Sequence, residues 1–152
     1  MDRVLLVLGG LAIAGAVAAL LGRRPDAPAV NTTHVPRQLD RADFTRPDAP
    51  WLVAVFTSAT CHSCAAVWER ARQLDCDQVA VAEIEVGRDA TLHERYRIDA
   101  VPTLVISDAA GVVRRAFLGT VSAPDLVAAI DEVRQTRSSA AETAADEGDH
   151  GI

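Results

Sequence analysis

Hydrophobic positions along the chain fall into three regimes, and the first is continuous. Residues 4–21, VLLVLGGLAIAGAVAALL, carry no charge and no hydroxyl, and Gly22 extends the run. A helix apolar on every side has no stripe to offer water, so the run predicts one N-terminal transmembrane helix. Its eighteen residues span roughly 27 Å against a hydrocarbon core of about 30 Å. The alternatives are a buried core helix, which seldom starts at residue 4, and a cleavable signal peptide. Against cleavage, Gly22-Arg23-Arg24-Pro25 stands where a small-x-small site belongs. The predicted organisation is a short end at 1–3, an anchor over 4–22, a flexible linker with three prolines over 23–36, a domain over 37–136 and a disordered acidic tail over 137–152.

Within the domain the periods are shorter. Residues 37–44, RQLDRADF, can form a short helix with Leu39, Ala42 and Phe44 on one face, stopped before Pro47. Residues 51–56, WLVAVF, form an unbroken apolar run rich in β-branched and aromatic side chains, which predicts a central strand buried on both faces. A helix then follows, starting near Cys61, with Ala65, Ala66, Val67, Trp68, Ala71 and Leu74 as its apolar pattern and Glu69, Arg70, Arg72 and Gln73 on the wetter face. A second strand is predicted over 79–86, a helix over 88–96, a strand over 103–106 entered through Pro102, a turn over 108–111 and a hairpin partner over 112–117. The last helix starts at Ser122 or the Ala123-Pro124 step, with Leu126, Val127, Ile130 and Val133 on its buried side. The order β-α-β-α-β-β-α predicts an α/β domain.

Composition narrows the classes. Of 152 residues, 49% are hydrophobic and 24% charged, which excludes wholesale disorder, and three cysteines cannot staple a disulfide scaffold. The net charge of −6 and the absence of a basic cluster argue against nucleic acid as a partner. The segment 1–24 is net +2, but Arg3 and the terminal amine before the apolar run nearly balance Arg23 and Arg24 after it, so the positive-inside rule leans only weakly to a cytoplasmic carboxyl side and does not decide orientation. All 15 basic residues are arginine, and with abundant Ala and Asp this fits a high-GC bacterial coding bias.

The chemistry converges on Cys61-His62-Ser63-Cys64, at a strand-to-helix junction. Two cysteines separated by two residues can close a small ring, and the first, at a helix start, gains thiolate stability from the helix field. Cys61 is the expected nucleophile and Cys64, one turn further in, the resolving thiol. Half of a zinc site and an inert structural disulfide are the competing readings. Zinc would need Cys76 with His62, His34 or His93, and no second CxxC exists. A c-type haem attachment requires histidine where Ala65 stands. No cofactor and no metal are expected. Cys76 reads as a buried non-catalytic thiol, His34 and His93 as surface histidines, and Trp51 and Trp68 as core or strand-cap residues.

These residues resemble the thioredoxin family over roughly 35–133. The resemblance rests on the strand ending in Phe56, on the Cys61/Cys64 pair opening a helix, on Tyr96-Arg97-Ile98-Asp99-Ala100-Val101-Pro102-Thr103-Leu104, and on Gly111 and Gly119. It implies a thioredoxin-like three-layer α/β/α fold with a central mixed sheet. It also implies a cis bond before Pro102, packed against the disulfide, and backbone groups of Val101 offered to an extended substrate. The chain departs from the pattern at Thr57 and Thr60, where aromatic residues are usual, at Val55, where a buried aspartate is usual, and at His62-Ser63 in place of Gly-Pro. Glu83 aligns with another buried ionisable position and is a candidate acceptor for the Cys64 proton, with an exposed strand-edge glutamate as the competing reading. A charged His62 would stabilise the Cys61 thiolate, with an exposed histidine that merely turns outward as the competing reading.

The resulting expectation is a thiol-disulfide oxidoreductase acting on protein thiols or disulfides. It would be held at the cell membrane by a single-pass helix, with its domain on the extracytoplasmic side and a membrane or soluble electron donor. A non-catalytic thioredoxin-like module that docks a membrane or envelope partner is the alternative.

Overall fold

The computed structural model describes residues 34–149, with side chains described to residue 139. The anchor over 4–22 and linker positions 23–33 lie outside the described residues. No helix among the described residues is long and apolar enough to cross a membrane.

Four strands form one sheet in the order β2-β1-β3-β4. They are β1 (Trp51–Thr57), β2 (Val79–Glu85), β3 (Thr103–Asp108) and β4 (Val113–Leu118). β1 runs parallel to β2 and antiparallel to β3, and β3 runs antiparallel to β4, so the sheet is mixed. Every residue of β1 is buried, because helices cover both of its faces. Val53 and Val55 face α1 (Cys64–Ala71) and α3 (Ala123–Asp149) through Val67, Ala71, Leu126 and Ile130. Leu52, Ala54 and Phe56 face Leu39, Phe44 and Tyr96 on the other side, where α2 (Ala90–Arg95) and the N-terminal segment lie. This is a thioredoxin-like three-layer arrangement.

Several boundaries differ from the sequence reading. The domain begins before residue 37, since Pro36 is buried and Val35 packs on the core. The expected helix over 37–44 is a 3-10 turn at Arg41–Asp43, which leaves Ala42 exposed and Arg41 buried. The Arg41 guanidinium donates to the carbonyls of Asp108 at 2.7 Å and Ala49 at 3.0 Å, and these bonds fix the turn against the hairpin. The α3 helix continues to Asp149, past the point where a disordered tail was expected. Alanine, the best helix former, recurs at 140, 141, 144 and 145 and carries the helix on. On α3 it is Ala129, and not Val127, that joins the buried side; Val127 is exposed.

The β3–β4 turn is built by two devices. Asp108 accepts from the Ala110 and Val112 amides at 3.0 Å each, and Gly111 adopts φ +78°. A Cβ at Gly111 would lie 2.0 Å from the Leu39 carbonyl oxygen, because the N-terminal segment crosses the turn there.

Candidate functional site

Cys61 and Cys64 form a disulfide, with Cα atoms 5.4 Å apart. The helix expected near Cys61 begins at Cys64 instead. Upstream, Cys61 N–H is committed to the Ser58 carbonyl at 3.0 Å, and Cys64 N–H reaches the Cys61 carbonyl at 3.3 Å. Two tight turns therefore precede the helix, and Cys61 projects ahead of it. Cys64, on α1, is 2% exposed, whereas Cys61 is only half-buried. The first turn of α1 carries no acid, and Ser63 gives no side-chain cap, its hydroxyl lying 3.7 Å from Cys61 Sγ. The positive end of the helix is thus left free to favour a thiolate. His62 is exposed.

The sheet brings other residues to this end. Thr57 pairs with Glu85, and Phe56 pairs with Thr103, so the loop after β1, the turn after β2 and the entry to β3 meet at one end of the strands. The Val101–Pro102 peptide bond is cis. The Pro102 carbonyl accepts from Gly119 N–H at 2.8 Å, and Thr103 Oγ1 donates to the Ala100 carbonyl at 2.8 Å, fixing both sides of that bond. Pro102 is buried and Val101 half-buried.

Val55 stands where the resemblance implies a buried aspartate, and its register partner on β2 is Glu83. Glu83 is half-buried and accepts a hydrogen bond from the buried Thr57 hydroxyl at 3.1 Å. A polar pair missing from β1 alone is assembled across two strands. Glu85, two residues on, was not singled out by the sequence. Its carboxylate accepts from Ala59 N–H at 3.0 Å and Arg88 N–H at 3.1 Å. Backbone N–H groups of Gly87, Ala59 and then Arg88 hold this carboxyl below its ordinary range.

Two other expectations are reversed. Cys76 is an exposed free thiol, because α1 ends at Ala71 and a 3-10 turn carries the chain outward to the reversal that joins Cys76 to Val79. His93 is buried, with Nε2 2.9 Å from the Ile84 carbonyl and its ring edge-on to Phe56 at 5.3 Å. His34 is half-buried and takes a hydrogen bond from Arg97 at 3.2 Å. Trp51 is buried and Trp68 partly buried, both in the core. Among the described residues, no three His, Cys, Asp or Glu side chains are grouped as a metal site.

No family model and no curated protein matches the chain. Among solved structures, it is similar to a mutant thioredoxin of Halobacterium salinarum NRC-1, at 27% identity and a TM-score of 0.49, over 62% of this chain and 82% of that one. Thioredoxin-2 of the malaria parasite, described as a component of its protein secretion machinery, aligns at 15% identity and a TM-score of 0.49, over 55% and 82% of the two chains. A further malarial protein aligns at 15% identity and a TM-score of 0.49, over 55% and 96%. The fold itself is read from the sheet order, the parallel β1–β2 pair and the cysteine turn ahead of α1.

Proposed function

We propose that the chain is a membrane-tethered thiol-disulfide oxidoreductase acting on protein thiols and disulfides. The observation that carries this reading is the unequal exposure of one disulfide, whose outer sulfur belongs to a half-buried residue and whose inner one to a residue 2% exposed. A partner can reach Cys61 and cannot readily reach Cys64.

In the reducing direction the Cys61 thiolate attacks a partner disulfide, forming a mixed disulfide and releasing one partner thiolate. The Cys64 thiolate then attacks Cys61 Sγ, closing the internal disulfide and releasing the second partner thiolate. The partner gains two electrons and the pair loses two; the oxidising direction is the reverse. Glu83, supported by Thr57, takes the Cys64 proton directly or through a water. His62, beside Cys61, favours the thiolate when charged. The Val101 backbone before Pro102 receives an extended partner segment.

The tether is residues 4–22, and the domain stands on the extracytoplasmic side, where disulfides persist. Expression of full-length Cys64→Ser in cells tests the exchange. Mixed disulfides to partner proteins should accumulate and vanish on further change of Cys61 to Ser. Absence of any such adduct, with the protein present, refutes the activity. A reporter fused to each end tests the tether and its orientation.

A further inference from the structure

The loop over 58–61 delivers Cys61, and its amides show what holds it. Thr60 N–H bonds to Ser58 Oγ at 3.3 Å, and Cys61 N–H bonds to the Ser58 carbonyl at 3.0 Å, both within the loop. Ala59 N–H reaches outside it, to Glu85 Oε1 at 3.0 Å. Among the described residues this is the hydrogen bond that ties the amides of 59–61 to the rest of the domain.

Glu85 is itself fixed from the other side. It closes β2 as the register partner of Thr57. Its backbone N–H donates to Asp89 Oδ2 at 3.1 Å, and its carbonyl accepts from Asp89 N–H at 2.7 Å. Oε2 accepts from Arg88 N–H at 3.1 Å. Gly87 makes room for this arrangement, since a Cβ there would lie 2.9 Å from Oε2. One carboxylate thus spans the turn after β2 and the loop before Cys61.

We propose that Glu85 is a positioning residue for the disulfide. Its bond to Ala59 N–H holds Cys61 where Cys64 can meet it, and so favours ring closure over the open dithiol. This rests on the exchange reading above. When a mixed disulfide at Cys61 is resolved, the Cys64 thiolate attacks Cys61 Sγ and expels the partner thiolate. An anchored loop raises the effective concentration of that attack. Without the anchor, Cys61 explores positions out of reach, and the disulfide becomes easier to reduce.

The test is the equilibrium of the full chain with reduced and oxidised glutathione, in which protein dithiol plus one glutathione disulfide gives protein disulfide plus two glutathiones. Glu85→Ala should lower that constant about three- to tenfold, a tenfold fall being roughly 30 mV toward a stronger oxidant. Glu85→Asp keeps the charge but is one methylene shorter, so it should shift the constant in the same direction. A residue that only supports the fold would weaken the oxidised and reduced forms equally and leave the constant unmoved. Constants within twofold of wild type for both variants overturn the proposal. So does a shift in Glu85→Ala with none in Glu85→Asp, which would assign the effect to charge. If Glu85→Ala does not fold, Glu85→Asp within twofold of wild type is sufficient to overturn it. A wild-type chain that does not exchange with glutathione at all removes the exchange reading itself, an outcome distinct from unchanged variants of an exchanging protein.

Discussion

Tyr96 is the single tyrosine of the chain, so its ionisation can be followed alone by phenolate absorbance. Its hydroxyl accepts from Asp40 N–H at 3.0 Å and donates to the Asp43 carboxylate. Its ring is buried, stacked on Phe44 with centroids 5.9 Å apart, and Arg95 binds both Asp40 and Asp43 above it. Burial, and after it the hydrogen bond to Asp43, push its pKa up to about 12. The neutral phenol is the form the fold retains. The stability it contributes is therefore complete below the unfolded value near 10 and is lost as pH rises toward the folded one. At a pH of about 11 the folded chain should keep Tyr96 neutral, while the chain unfolded in urea is mostly phenolate.

Tyr96→Phe removes both bonds at once. A hydrogen bond to a charged acceptor nets about 1.5–3 kcal/mol. Asp40 is exposed and water can replace part of the loss, so the expected cost is about 1–2 kcal/mol, or roughly 5 °C in Tm. Urea unfolding followed by tryptophan fluorescence measures it at neutral pH, and the variant should also lose the decline in stability between pH of about 10 and 12. A folded-state titration midpoint equal to that in urea would refute the reasoning, because it would mean that the hydroxyl is free in solution.

Gly111→Ala should cost about 3 kcal/mol or more in urea unfolding, since the residue must leave φ +78° or push Cβ into the Leu39 carbonyl at 2.0 Å; a change under about 1 kcal/mol would contradict the crossing of the N-terminal segment there. In the oxidised native protein Cys76 alone should be alkylated by iodoacetamide, as an exposed thiol beside a closed disulfide; labelling that needs denaturant would show Cys76 to be covered. Glu83→Gln should slow resolution by Cys64 about tenfold and shift its thiol titration; unchanged values would remove Glu83 from proton transfer and leave its Thr57 bond as structural.

The parts of this fold legible in the sequence are those written as period. The apolar run of β1 and the turn chemistry of Asp108 and Gly111 declare their conformations locally, and the cysteine spacing declares a ring. What escaped is set by tertiary placement. His93 and Cys76 have no local signature of burial, and their exposures depend on where α2 meets Phe56 and on where α1 stops. The acidic, alanine-bearing stretch after Arg137 carries both a composition associated with disorder and a strong helix propensity, and the helix prevails.

The two glutamates of β2 show the same limit at the site. Glu83 and Glu85 alternate identically and point to one face, so nothing in the sequence separates the one bonded to the Thr57 hydroxyl from the one bonded to the loop before Cys61. The parallel register does so: it sets Glu83 beside Val55 and Glu85 beside Thr57, the last residue before the chain turns toward Cys61. A shift of that register by two residues would move one glutamate into the other's surroundings and displace the second, while leaving the face they share unchanged. The polar chemistry around the disulfide is therefore a property of strand pairing, and substitutions that alter the β1–β2 register should disturb the cysteine pair without touching it.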